Sequence, residues 1–305
     1  MIQPDSLTSS AIGHIVNIAS VPHRSLFRYP GGKTWLVPRI RNWMYSHKKK
    51  PNVFVEPFVG GGIVSLSVAF EDLADQVVMV ELDDEVSSVW KTLLYGDTGS
   101  LIKKVLEFEV NLPNVIETLA KQPECPEDLA FKTLLKNRTF HGGILAPGSA
   151  PIKNGENGRG LKSRWYPETL SKRIKDIERK KNKLEFIQGD GLSYLRRETS
   201  NENAVFFIDP PYTASAKKAG TRLYKHNILN HEELFEIVSQ LKGDFLMTYD
   251  FDSKVIELAD RHGFDMHPIS MNNTHHSIMT ELLIGKDLSW AKSNGLVLDL
   301  QTNGQ

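Results

Sequence analysis

This sequence predicts an α/β fold, a mostly parallel sheet with helices on both faces, and three observations carry that expectation. Seven apolar runs of strand length recur along the chain, at Val53–Val55, Gln76–Val80, Leu184–Ile187, Ala204–Ile208, Asp244–Tyr249, Phe264–Ile269 and Met279–Ile284. Segments of helical spacing separate most of them, the pattern of parallel strands joined by crossover helices. Several runs end at glycines or at an acid, the composition of strand ends where open α/β sheets bind ligands.

The 305 residues, 40% of them hydrophobic, suffice for one large α/β domain with an insertion or for two smaller domains. Net charge is zero, so a nucleic-acid partner has to be sought in local charge. The single cysteine, Cys125, has no disulfide partner and no Cys/His companions at zinc spacing; a reducing, cytoplasmic setting without a structural metal is expected. No stretch approaches the roughly 20 apolar residues of a membrane span, and residues 1–23 lack a signal-peptide pattern. Those residues read as a tail or an accessory strand.

Arg28-Tyr29-Pro30-Gly31-Gly32-Lys33-Thr34 precedes Trp35, Leu36, Val37, Ile40 and Trp43, which are spaced for an amphipathic helix. Glycines before a helix with a lysine at the mouth suit an anion or a carboxylate, and suit equally an unligated turn. A triphosphate loop is excluded, because its first glycine falls on Phe27. Val53–Val55 then leads through Glu56-Pro57-Phe58-Val59-Gly60-Gly61-Gly62 into Ile63, Val64, Leu66 and Ala69, a strand, a glycine turn and a helix. Glycine lets backbone approach a ligand closely, which makes the turn a candidate cofactor cradle. Val64 and Ser65 occupy the places where a dinucleotide fingerprint would continue. The second strand ends at Glu81, placed to accept ribose hydroxyls, with Asp83 in reserve and Asp84 and Glu85 favouring the next helix.

About ninety residues of different character follow. Residues 132–183 hold fourteen Lys/Arg against four Asp/Glu, so the neutral whole conceals a basic module. Asn137-Arg138-Thr139-Phe140-His141-Gly142-Gly143 and the loop 148–160 mix donors, glycines and an aromatic ring, and Ser171–Lys183 reads as a basic helix. Phosphate contacts would supply affinity and the loops could reach base edges; taken singly, Lys172, Arg173, Lys175, Arg179 and Lys180 also fit a solvated helix face.

After Leu184–Ile187, Asp190 follows as a helix N-cap or an acceptor for an adenine amine. Ala204–Ile208 stops abruptly at Asp209-Pro210-Pro211-Tyr212, because proline donates no ladder hydrogen bond. A carboxylate, a carbonyl fixed by prolines and an aromatic ring together suit a planar, amine-bearing ring; a polar strand-to-loop turn with Tyr212 as a core plug fits the same residues. The loop Thr213–His226 carries Lys217, Lys218, Arg222 and Lys225, as a lid or a clamp on phosphate would. Helices are expected over 231–242 and Ser253–His262. The last two strands are joined closely enough for a hairpin, so one runs antiparallel; His275 and His276 in that turn lack the partners of a metal site.

Three of these motifs, in order, resemble those of the Dam-like (D12 class) DNA N6-adenine methyltransferases. Tyr29–Lys33 is similar to their motif X, Glu56–Gly62 to motif I with Phe58, Gly60 and Gly62 in its signature, and Asp209–Tyr212 to motif IV. Tyr29 stands where many relatives have tryptophan and Glu81 where many have aspartate. The resemblance implies a seven-stranded methyltransferase sheet and S-adenosylmethionine held by Tyr29, Lys33, Glu56, Phe58, Gly60, Gly62, Glu81, Asp190 and Asp209. It implies catalysis by Asp209, Pro210 and Tyr212, without a metal, on adenine flipped out of duplex DNA. Asn137, Arg138, Lys217 and Arg222 are the expected DNA contacts, in a bacterial or phage-infected cell and with no obligate protein partner. Restriction-modification, phage and regulatory settings fit alike. The organisation is a tail over 1–23, a catalytic domain over 24–95 and 184–290, a mainly helical recognition insertion over 96–183 and a tail over 291–305. Cytosine N4, RNA adenine, a protein amide and a silent DNA-binding module are the alternatives; cytosine C5 is excluded, because Cys125 lacks the setting of a nucleophile.

Overall fold

The computed structural model describes residues 21–28, 32–153, 155, 158–211, 229–272 and 278–292. Seven strands, β1 (Val53–Glu56), β2 (Gln76–Glu81), β3 (Leu184–Gln188), β4 (Ala204–Ile208), β5 (Asp244–Asp250), β6 (Asp265–Asn272) and β7 (Ile278–Gly285), form one sheet. Their order is β3-β2-β1-β4-β5-β7-β6. The pairs from β3 to β5 are parallel, and β7 runs antiparallel to both β5 and β6. The expected hairpin is therefore β6–β7, with longer strands than the apolar runs suggested, because ladder pairing continues to Asn272 and Ile278.

The α-helices among the described residues are α1 (Val37–Ser46), α2 (Ile63–Phe70), α3 (Asp84–Tyr95), α4 (Thr98–Glu107), α5 (Leu112–Ala120), α6 (Pro126–Thr139), α7 (Pro167–Lys180), α8 (Gly191–Arg197), α9 (His231–Ser239), α10 (Ser253–Arg261) and α11 (Ser289–Lys292). Side chains alternate across a strand, so Phe54, Val77, Met79, Val205 and Phe207 pack with α1, α2 and α3 on one face. Val55, Val78, Val80, Phe206 and Ile208 pack with α8, α9 and α10 on the other. Burial on both faces explains why these strands read as continuous apolar runs.

The inserted helices do not build a core of their own. Leu101, Val105, Phe131, Leu134, Leu170, Ile174 and Ile177 join the cluster that contains Trp90 and Leu93 of α3. Phe108, Phe131 and Trp165 meet edge to face, with ring centroids 5.3 to 6.2 Å apart. The basic helix α7 starts at Pro167, earlier than expected, since proline is favoured in a first helical turn. Leu170, Ile174 and Ile177 bury one face of it, while Lys172, Lys175 and Arg179 are exposed. No described helix is long and apolar enough to cross a membrane.

The chain runs outward from β1 to β2 and β3 in one direction and from β4 to β5 in the other. The C-terminal ends of β1 and β4 therefore flank the switch point where open α/β sheets bind ligands.

Candidate active site

A cavity of about 630 Å³ opens at that switch point. β1 ends in Glu56, the loop after it supplies Phe58 and Gly60 to Gly62, β2 ends in Glu81, the turn after β3 supplies Asp190, and Asp209 and Pro210 directly follow β4. Lys33 enters from the turn before α1. Described residues that were expected to hold a cofactor thus come together from four strand ends.

The glycine turn is shaped by its neighbours. Gly62 is the residue before α2 and has φ +63°, and a Cβ there would lie 2.5 Å from the Trp90 ring. Trp90 Nε1 donates to the Gly60 carbonyl at 3.0 Å, so the indole both fills the space and fixes the turn. Across the cavity a Cβ on Gly191 would lie 2.4 Å from the Pro57 carbonyl oxygen and 2.8 Å from the Phe58 ring, which explains the glycine that opens α8.

Glu81 has a role that its sequence position did not disclose. Its Oε2 accepts the Gly60 amide at 2.9 Å, and its Oε1 accepts the Leu82 and Asp83 amides at 2.9 and 3.0 Å. Burial raises its pKa, while these amides work against the rise. Asp83, the reserve candidate, accepts from the Glu85 and Val86 amides as the N-cap of α3. Asp190 is likewise an N-cap, accepting the Ser193 amide at 2.8 Å, and also lines the cavity, so its two readings are compatible.

Glu56 is buried, and its Oε2 accepts both the amide and the hydroxyl of Ser65. Burial pushes its pKa up to about 8, and Asp209 and Glu81 add to the rise against the lowering by Ser65. Burial therefore favours its protonated form in the fold.

Asp209 Oδ1 lies 3.0 Å from Lys33 Nζ and accepts the Thr248 hydroxyl at 2.9 Å. The Asp209 side chain is partly exposed to the cavity. Lys33 is 5% exposed and also lies 3.7 Å from Glu281 Oε1. Burial pushes the Glu281 carboxyl up to about 7, with Lys33 opposing and Asp209 and Asp250 adding. Thr248 and Glu281 were not expected here. The one available signal was an isolated acid beside Leu282, Leu283 and Ile284.

Asn137 and Arg138, expected as DNA contacts, are buried in this structure. Neither faces outward: Asn137 is fully buried, accepts the Arg28 amide at 2.8 Å and donates to the carbonyls of Arg28 at 3.1 Å and Gly143 at 2.7 Å. Arg138 Nε and Nη2 both donate to the Leu26 carbonyl. Burial pushes the Arg138 guanidinium down to about 9, with Arg173 and Arg28 adding to the fall. Asn137 and Arg138 lie three and four residues beyond Leu134, on the packed side of α6, and they pin residues 26–28 to the insertion. Arg173 does the same through its bond to the Ser25 carbonyl, and Arg138, Tyr166 and Arg173 reach the cavity wall. Tyr29, Tyr212, Lys217, Arg222, His275 and His276 lie outside the described residues. Among the described residues no cluster of His, Cys, Asp and Glu is arranged to hold a metal.

Residues 29–271 match the D12 class N6 adenine-specific DNA methyltransferase family. A DNA N-6-adenine-methyltransferase of Escherichia phage P1 is 25% identical over 81% of this chain, which spans only 32% of that protein's length. The type II methyltransferase M1.LlaDCHI of Lactococcus lactis subsp. cremoris is 23% identical over 83% of this chain and 89% of its own. Among solved structures, a putative RNA methyltransferase from Pyrococcus horikoshii superimposes with a TM-score of 0.38 at 11% identity, covering 92% of this chain and 96% of its own. The rRNA methyltransferase aviRa from Streptomyces viridochromogenes gives 0.37 at 11%, covering 90% and 94%. With residues 29–271 matched by that family, this chain belongs to the D12 class of N6 adenine-specific DNA methyltransferases.

Proposed function

We propose that this protein transfers a methyl group from S-adenosylmethionine to N6 of an adenine turned out of double-stranded DNA. The observation that carries this reading is Asp209 at the end of β4, with Oδ1 engaged by Lys33 and Thr248 and its carboxylate facing the cavity. The family match and the cavity's wall of glycines and carboxylates support it.

The residues present fit the cofactor. Gly60 to Gly62 let its backbone-hugging portion approach, Phe58 supplies an aromatic wall, and Glu81 keeps one lone pair after accepting three amides. Asp190 can accept from an adenine amine with the oxygen that the cap leaves unused. When bound, S-adenosylmethionine supplies an electrophilic methyl carbon on a sulfonium.

Adenine's N6 lone pair is delocalised into its ring and attacks poorly. Asp209 and the Pro210 carbonyl accept hydrogen bonds from the amine, localise that lone pair and aim it. Turning the base out costs a few kcal/mol, and stacking on Tyr212 offsets about 1–3 kcal/mol. The exposed Lys172, Lys175 and Arg179 of α7, with Lys217 and Arg222, are the proposed phosphate contacts, and the insertion over 96–183 is the proposed recognition unit.

The test is mass spectrometry of nucleosides from unmethylated duplex DNA incubated with protein and S-adenosylmethionine, beside Asp209→Ala. N6-methyladenine from the wild type alone is expected. N4-methylcytosine, methylation of RNA only, or full activity in the variant would overturn the reading.

A further inference from the structure

One buried acid has no part in the reaction as described. Glu281 lies within the apolar run of β7, in register with Asp250 of β5 and Ile269 of β6, and is 5% exposed. Its Oε2 is buried and has no hydrogen-bond partner among the described residues. Its Oε1 lies 3.7 Å from the same ammonium that sits 3.0 Å from Asp209. A buried carboxyl oxygen without a partner is costly and calls for an explanation. Here one lysine stands between two acids, closer to the one at the cavity.

We propose that Glu281 is a positioning residue for methyl transfer: by competing for the Lys33 ammonium, it governs how strongly Asp209 accepts the target amine. This rests on the role of Asp209 given above. An ammonium held at 3.0 Å draws on the carboxylate's electron density and weakens it as an acceptor for a second donor. Movement of Lys33 by about 1 Å would turn the Glu281 contact into a charge-assisted hydrogen bond and release Asp209 toward the base. Lys33 enters from the turn before α1, Glu281 lies within β7 and Asp209 directly follows β4, so a shift of the lysine side chain is the smallest movement that exchanges the two contacts.

Ionised Glu281 competes for the ammonium, and protonated Glu281 does not. The charged groups facing it are Lys33, Asp209 and Asp250, and its pKa of about 7 places the change in the neutral range. Below that pH Lys33 stays on Asp209 and transfer is slow. Above it Lys33 is shared with Glu281 and transfer is faster.

The experiment compares single-turnover methylation by wild type, Glu281→Gln and Glu281→Asp from about pH 5.5 to about pH 8.5, on DNA that the wild type modifies and with saturating cofactor. The wild-type rate should rise with a midpoint near the pKa of Glu281. Glu281→Gln should lose that rise and run about tenfold slower at the alkaline end, with cofactor affinity within about twofold of wild type. Glu281→Asp keeps the charge and should keep the rise at a lower rate; it decides the question if the Gln variant does not fold. Identical profiles in an active wild type and Glu281→Gln, or a flat profile in Glu281→Asp, overturn this inference and leave the proposed function standing. A wild type that methylates no DNA overturns the proposed function instead. A readout without turnover covers that case: the ¹⁵Nζ resonance of Lys33 should titrate with Glu281 in the wild type and not in Glu281→Gln, and absence of that titration overturns the inference.

Discussion

Glu81 Oε2 accepts the backbone amide of Gly60 at 2.9 Å, so the acid at the tip of β2 holds the turn that follows β1. Two further amides, those of Leu82 and Asp83, bond the other oxygen. Glu81→Ala leaves these donors without their partner and should lower stability by about 1–3 kcal/mol while weakening cofactor binding by about 10–100-fold. Urea unfolding and calorimetric titration with S-adenosylmethionine measure the two effects. Lost affinity with an unchanged urea midpoint would confine Glu81 to ligand contact.

Gly62 and Trp90 make a second pair of this kind. Alanine at 62 meets both a left-handed φ and an indole atom 2.5 Å from its Cβ, and it should cost about 2–4 kcal/mol. Trp90→Phe relieves part of the clash, so the double variant should be less destabilised than the sum of the single ones. Denaturant midpoints of the three variants check this, and strict additivity would mean that the ring is not the obstacle.

Asn137→Ala removes the side chain that bonds Arg28 on both its amide and carbonyl and Gly143 on its carbonyl. The expected loss is about 1–3 kcal/mol of stability, together with weaker cofactor binding as residues 26–28 loosen. The salt dependence of DNA affinity should be unchanged, because no phosphate contact is removed. A shallower salt slope at unchanged stability would return Asn137 to the DNA interface.

Glu56 makes stability depend on pH. Its folded pKa of about 8 lies above the ordinary carboxyl value of 4.5, so the folded state holds a proton more tightly than the unfolded chain does. The contribution is fully present below the unfolded value and is lost as pH rises through the folded one. Glu56→Gln cannot ionise and should flatten this decline, melting closer to wild type at acidic pH and above it at pH values past 8. Parallel melting curves across the range would show that Glu56 is not protonated in the fold.

Much of the architecture was legible because it rests on local rules. Apolar runs bounded by Gly60 and Gly62 or by Pro210 and Pro211 marked strand ends, and the alternation of runs with helical spacing marked a parallel sheet. Gly62 was readable as special because only glycine takes its backbone angle freely. The surroundings of Asn137 and Arg138 were hidden for an equally physical reason: a polar pair in a basic, glycine-rich segment looks like a reader of DNA, and nothing nearby in sequence shows that backbone 26–28 bonds both side chains.

By itself, then, the sequence determined the order of strands and helices, the glycine turn and the carboxylate at the tip of β4, since each depends on neighbours a few residues away. Only the tertiary structure decided the partners. Lys33, Asp209, Thr248 and Glu281 come from segments as much as 248 residues apart, and Glu81 reaches back to Gly60 across a strand pair. Electrostatic coupling and desolvation act through space, and it is sheet register, not chain proximity, that brings these charges within reach of one another.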